Sequence, residues 1–371
     1  MDVSRQPVMF FLGTIFLIVN HNHAAEIQIQ LKDPPTTGTL ICRLYRTANR
    51  FGDLRKAYRT EMFILDTDNI YRLGDLPAGS YAMVLFLDKN NNNVLDKNFM
   101  GIPNEPIAFS NQYRPKGPPN FRQAQFTLRQ DEIHTEVVDL GQVLGKRGRL
   151  GVGLGVMGRS SPYRNYDGGV YRVMPIVAYI GNRFQVMGPF LRCGLIGSGN
   201  YRLAATLGYR MGVYDEENSP DLQGMGDRRD TAMLGLSLQA DLWSGLQTTL
   251  SYQHDILDQI GGGSAQCSLG KTFQWHRARL TPNIGLNWLS SQLTNYDYGV
   301  TQTQATVNRP VYLPGESWSS EVGLGVGFEI TRNWMINSSL SAEFFDSNVR
   351  SSPIVSKDYV LKGFLAVSYT F

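Results

Sequence analysis

From Leu150 to the C-terminal Phe371 the chain alternates between apolar and polar side chains in run after run. Ala232, Leu234, Leu236, Leu238, Ala240 and Leu242 share one parity, while Thr231, Gly235, Ser237, Gln239 and Asp241 hold the other. Leu203, Ala205, Leu207 and Tyr209 stand against Arg202, Thr206, Gly208 and Arg210 in the same way, and Ala278, Leu280, Ile284 and Leu286 against Arg277, Arg279, Asn283 and Asn287. Val322, Leu324, Val326, Phe328 and Ile330 oppose Glu321 and Glu329, and the last run sets Leu365, Val367, Tyr369 and Phe371 against Ala366, Ser368 and Thr370. A period of two gives a strand two unlike faces. A soluble sandwich shows this in a few strands. Runs of about ten residues, with Tyr201, Trp243, Trp288 and Trp334 near their ends and an aromatic terminus, predict strands that cross a bilayer. The expected fold is therefore all-β, with an antiparallel transmembrane β-barrel over residues 150–371.

Turn lengths orient the barrel. The turns at residues 243–246, 273–277 and 330–334 are tight, as periplasmic turns are, whereas 214–230, 289–319 and 346–358 are long, as extracellular loops are. Eleven candidate strands can be counted directly. Bacterial single-chain barrels use even numbers, so about twelve strands are expected, with ten as the alternative and the missing strand between Leu150 and Asn200.

Residues 26–140 read differently. Short apolar or alternating runs at 26–31, 38–45, 61–65, 80–87, 121–128 and 133–140 are separated by turn chemistry such as Asp33-Pro34-Pro35 and Pro77-Ala78-Gly79. Six or seven such strands predict a small antiparallel β-sandwich of immunoglobulin or transthyretin type. With the short turns of the barrel on the periplasmic side, this domain belongs in the periplasm. Residues 103–119, with Pro106, Pro115 and Pro118, read as an ordered surface loop. Residues 141–149 join the halves, and Lys146, Arg147 and Arg149 make that linker basic.

Residues 8–19, VMFFLGTIFLIV after Arg5, are the one apolar stretch long enough to consider for a membrane helix. They are too short to span a bilayer and fit the core of a secretory signal peptide over residues 1–25. Charged residues are 18% of the chain and mean hydropathy is slightly negative, which excludes a helical membrane protein. A barrel remains compatible, because only every second strand residue must be apolar. A net charge of +3 is too mild to imply nucleic acid as a partner. Three scattered cysteines, Cys42, Cys193 and Cys267, give neither a disulfide framework nor a zinc site, and leave at least one free thiol.

Candidate chemistry lies in three places. In residues 88–96, Asp88, Asn90, Asn92 and Asp96 stand at positions 1, 3, 5 and 9 of a calcium loop, with the Val94 carbonyl at position 7. Phe99 replaces the glutamate of position 12, so any calcium affinity is weak; the competing reading is an Asn-rich turn. Calcium is the only cofactor the residues suggest. The second place is the polar parity of the barrel, which puts Arg202, Arg210, Arg277, Arg279, Asp241, Glu321, Glu329, Glu343 and Lys362 in the lumen. So many charges demand either water or an ion-pair network. The third is His254-Asp255 with Asp258, a sequence triplet that is ordinary loop chemistry far more often than a hydrolase site. His134 reads as a solvated strand histidine. No catalytic constellation emerges, and the chain reads as a non-enzyme.

Two resemblances cover nearly the whole chain. GTLICRLY, LPAGSYAMVLFLDKNNNNVLD, FMGIPNEPIAFSN and PPNFRQAQFTL resemble the exported bacterial domain of unknown function 2141. PYRNYDGGVYRVMPIVAYIGNRF, NSPDLQGMGDRRDTAMLG, NYDYGV, SSPIV and the final SYTF resemble the MipA/OmpV family of MltA-interacting proteins. The second resemblance implies an outer-membrane barrel which, in some members, is a scaffold linking a lytic transglycosylase to a bifunctional peptidoglycan synthase. The domain ahead of the barrel departs from that pattern. Three readings follow: a scaffold in outer-membrane lipid with peptidoglycan-remodelling or other envelope proteins as partners, a small-solute porin-like channel favouring anions, and a barrel hydrolase.

Overall fold

The computed structural model describes residues 25–371 except 67, 116–118, 146–147, 198–199, 276 and 332. The proposed signal peptide, Lys146, Arg147 and Pro118 thus lie outside the described residues, apart from Ala25 at the start of the first strand.

Eight strands build the N-terminal domain: β1 (Ala25–Leu31), β2 (Thr39–Tyr45), β3 (Arg59–Ile64), β4 (Ile70–Leu76), β5 (Gly79–Asp88), β6 (Ile107–Phe109), β7 (Phe126–Leu128) and β8 (Ile133–Val138). One sheet has the order β4-β1-β8, the other β3-β2-β5-β6, with β7 also on β5. The expected antiparallel pattern fails at one place, since β1 and β8 pair in parallel. The sequence reading also passed over β4 and β6, and residues 121–124 open the next run as a helical turn. The β5 run AMVLFL is apolar throughout because both its faces are covered. Tyr81, Met83 and Leu85 enter the core between the sheets. Ala82, Val84 and Phe86 enter a second core with Leu95, Ile107, Phe109 and Phe121.

The barrel follows as β9 (Arg149–Ser160), β10 (Gly169–Ile180), β11 (Phe184–Met187), β12 (Phe190–Ile196), β13 (Tyr201–Arg210), β14 (Thr231–Asp241), β15 (Leu246–Asp255), β16 (Gly263–Lys271), β17 (Phe273–Trp275), β18 (Ala278–Leu289), β19 (Ser317–Glu329), β20 (Trp334–Phe345) and β21 (Tyr359–Thr370). Both β16 and β17 pair with β18 and make one wall strand broken at Thr272. The 13 segments of the sheet therefore form twelve strands. Pairing of β21 with β9 closes the ring antiparallel. At that seam the backbones are close: a Cβ on Gly153 would lie 2.0 Å from the Val367 carbonyl oxygen. The strand hidden from direct counting belongs to the β11–β12 hairpin, where a four-residue strand is too short for alternation to register.

The parity of the sequence becomes the two faces of the wall. Leu234, Leu236, Leu238, Ile284, Leu286, Val322, Leu324, Leu365 and Phe371 are exposed on the outside, where hydrocarbon would wet them. Among the described residues no helix is long and apolar enough to cross a membrane.

Candidate functional site

The barrel is occupied at both mouths and along its wall. At the end carrying the short turns, the loop between β5 and β6 brings the sandwich into contact with the barrel. Asn98 is buried, and its side-chain oxygen accepts from the Met100 and Ile102 N–H groups at 2.9 Å each. The tight turn around it presses Phe99 onto the wall, where a Cβ on Gly194 would meet that ring at 2.7 Å. Asn98 Nδ2 also donates to the Gly181 carbonyl at 3.4 Å. Beside this turn the fully buried Arg202 guanidinium donates to both oxygens of Asp241, at 2.6 and 2.7 Å, and packs against Gly101. Burial pulls the Lys97 pKa below the ordinary lysine value, opposed by the Asp241 carboxylate.

The lumen charges of the far wall form one cluster. Glu321 and Glu343 are direct cross-strand partners, an arrangement that like charges disfavour. Lys362 Nζ reaches both, at 2.7 and 3.1 Å. Asn287 Nδ2 donates to the same two carboxylates at 3.1 and 3.3 Å, and Ser319 Oγ donates to Glu343 at 2.5 Å. Arg279 and Glu329 lie lower, toward the short-turn end. Arg277 corrects the expectation: β18 starts at Ala278, so Arg277 sits in the turn, exposed, and donates to the Ile330 carbonyl at 3.3 Å. Parity predicts facing only while the strand lasts.

At the opposite mouth the long loops fold over the barrel and build a core of their own. Tyr163, Tyr214, Leu222, Tyr298, Val300, Phe345, Val349 and Ile354 are all buried in it. Arg210, at the top of β13, donates to Asp297 at 2.5 Å, on the helix Ser291–Tyr298. Tyr163 Oη donates to the Asp297 carbonyl at 3.2 Å, and Arg159 donates to Tyr298 Oη at 3.2 Å. Arg309 ties its own loop to the one between β13 and β14 through the carbonyls of Gln304, Asp221 and Gln223. Alternation says nothing about such a lid. Its only sequence trace is a set of tyrosines in loops that should otherwise be polar.

In the sandwich, the residues of the calcium reading do converge. Asp88 accepts from the Asn92 and Asn93 N–H groups at 3.2 and 2.6 Å, while the Asn90 and Asn92 side-chain amides donate to Asp96 at 2.8 and 3.2 Å. Beneath them Glu105 accepts from the Lys89 and Asp96 N–H groups at 2.8 and 3.0 Å, and burial raises its pKa. A cation here would require both amides to turn their oxygens inward. His134 is stacked 4.4 Å from the Phe126 ring and meets Glu136 at 3.1 Å, so it is a packed histidine rather than a solvated one. His254 and Asp255, adjacent on β15, point to opposite faces. His254 meets Tyr252 Oη at 3.2 Å on the outside, while the buried Asp255 holds its own loop through the Ile260 and Gly261 N–H groups at 2.6 and 3.1 Å. No relay links them. All three cysteines are free thiols.

Comparison with known proteins places both halves. Residues 152–371 match the family described as MltA-interacting protein MipA, and residues 31–136 match an uncharacterized protein conserved in bacteria, DUF2141. The MltA-interacting protein of Escherichia coli K12 is 28% identical over 233 residues, covering 60% of this chain and 88% of that one. Outer membrane protein Omp26La of Vibrio anguillarum is 31% identical over 143 residues, covering 38% of this chain and 55% of its own length. The chain thus spans about half of Omp26La. Among solved structures, OprB of Pseudomonas putida at high pH shares 11% identity with a TM-score of 0.27, over 90% of this chain and 92% of that chain. On the family match across most of the barrel, the chain is an outer-membrane protein that belongs to the MltA-interacting protein family and carries a DUF2141 domain ahead of the barrel.

Proposed function

We propose that this protein is a non-enzymatic outer-membrane scaffold whose periplasmic sandwich holds an envelope protein, of the peptidoglycan-remodelling class, near the membrane. The observation that carries the reading is the closure of both barrel mouths by packed residues of the same chain. A barrel with both mouths packed in this way serves as an anchor. The relative named MltA-interacting protein supports a protein partner. The sandwich offers a surface for one. The outermost strand of its larger sheet, β3, exposes Ile64 at 88% and Met62 at 58%, and a free strand edge flanked by apolar side chains suits strand addition. Wall enzymes are expected to co-purify with the native chain, and Ile64→Lys with Met62→Lys should cut recovery by roughly tenfold. Unchanged recovery after deletion of residues 26–140 would remove the sandwich from the role.

We propose the loop at residues 88–96 as a weak calcium site of this domain. Its two carboxylates offer hard oxygen donors, and the two amides would join them on turning from Asp96 to present their oxygens; that charge count suits millimolar affinity. Calorimetry at millimolar calcium should give heat that Asp88→Ala and Asp96→Ala abolish. Heat equal in both variants, or none in the native chain, makes the segment a turn only.

A further inference from the structure

Between the underside of the sandwich and the short-turn mouth of the barrel lies a chamber of about 790 Å3. Small-molecule sites span roughly 300–1,000 Å3, are largely apolar, and carry a few placed polar groups. This chamber has both elements. Ile102 and Phe109 of the sandwich face Ile180, Met187 and Met335 of the barrel across it. Thioethers on unbranched stems adapt to flexible chains. Among the described residues that line it, Lys97, Arg149 and Arg279 stand against the single carboxylate Glu329.

The cations are the informative part. Elsewhere in the lumen Arg202, Arg210 and Lys362 each face a carboxylate. Among the described residues, no carboxylate lies within 4.0 Å of Lys97, Arg149 or Arg279. Arg279 Nη2 has only the weak acceptor Met335 Sδ, at 3.5 Å. Arg149 is exposed and donates to the Val143 carbonyl at 2.9 Å, whereas Lys97 and Arg279 are partly buried; drawing a cation from water without a counter-ion is costly, and a guanidinium so placed matches an incoming carboxylate or phosphate. The chamber also reaches Trp334 and Phe371, aromatics exposed on the outer wall. Such residues sit at the headgroup level of the bilayer. The chamber therefore lies at the depth where amphiphiles of the inner leaflet present their heads.

We propose that this chamber binds a single-chain anionic amphiphile, its acidic head on Arg279 and Lys97 and its alkyl tail among Ile180, Met187 and Met335. The reading does not depend on whether the sandwich also holds a protein. The test uses the full chain in uncharged lipid nanodiscs with 11-(dansylamino)undecanoate as the probe. Saturable fluorescence enhancement is expected, with the methyl ester of the probe binding about tenfold more weakly. Arg279→Gln and Lys97→Gln should each weaken the acid by a similar factor and leave the ester unchanged, while Met335→Trp should block both. Retention of binding by Arg279→Lys would show that the variant barrels are folded and the charge is what matters. Competition by palmitate or by lysophosphatidylglycerol tells a free fatty acid from a phospholipid-derived source. Equal affinity for acid and ester, indifference to both glutamine variants, or failure of both competitors to displace the probe overturns the proposal.

Discussion

Replacing Arg202 with methionine is expected to be among the most damaging single changes in the chain. The guanidinium is fully buried and donates twice to Asp241. Without it, the half-buried carboxylate keeps one side-chain donor, Gln247 Nε2 at 3.1 Å. Breaking a buried pair by removing one partner costs about 3–5 kcal/mol, whereas replacing both partners with apolar groups of similar volume is close to neutral. Arg202→Met and Asp241→Asn should therefore each lower the temperature at which the barrel loses its compact, heat-resistant gel mobility. The double variant Arg202→Met with Asp241→Leu should recover most of the loss. Because Gly101 rests on this guanidinium, the single variant should also make residues 89–106 cleavable by trypsin at Lys97. A single variant within about 0.5 kcal/mol of the native chain, or a double variant as poor as the single, would show that the pair carries no such weight.

What could and could not be seen in the sequence follows from how far each signal reaches. Facing along a strand is local, since residues two apart share a face, so the lipid surface was legible at Leu234, Leu236, Leu238, Leu365 and Val367. Which inward charge meets which depends on register between strands distant in sequence. Arg202 and Asp241 lie 39 residues apart, and Lys362 is 41 from Glu321; nothing in either run encodes the pairing. Phe99 shows the same limit in another form. Its departure from the calcium pattern was visible at once, but its reason, packing on Gly194, belongs to the other domain. The lid of loop tyrosines escaped because loops carry no periodicity to read.

The two mouths lead to the prediction with the most bearing on function. Asp297 is 1% exposed; its carboxylate holds the Arg210 guanidinium, while its backbone carbonyl accepts from the Tyr163 hydroxyl. Asp297→Leu leaves Arg210 without its counter-ion at the base of the lid, a loss of about 3–5 kcal/mol concentrated at the extracellular end. Arg202→Met loosens the other end. Resistances in series add, so either variant alone still has one closed mouth and should show no more current in planar bilayers than the native chain. The two changes together should open a path past the cluster of Lys362 with Glu321 and Glu343. Steady conductance by the native protein would restore the channel reading over the scaffold. A single variant conducting as well as the double would mean that only one mouth is a barrier, and that the packing at the other leaves room for ions to pass.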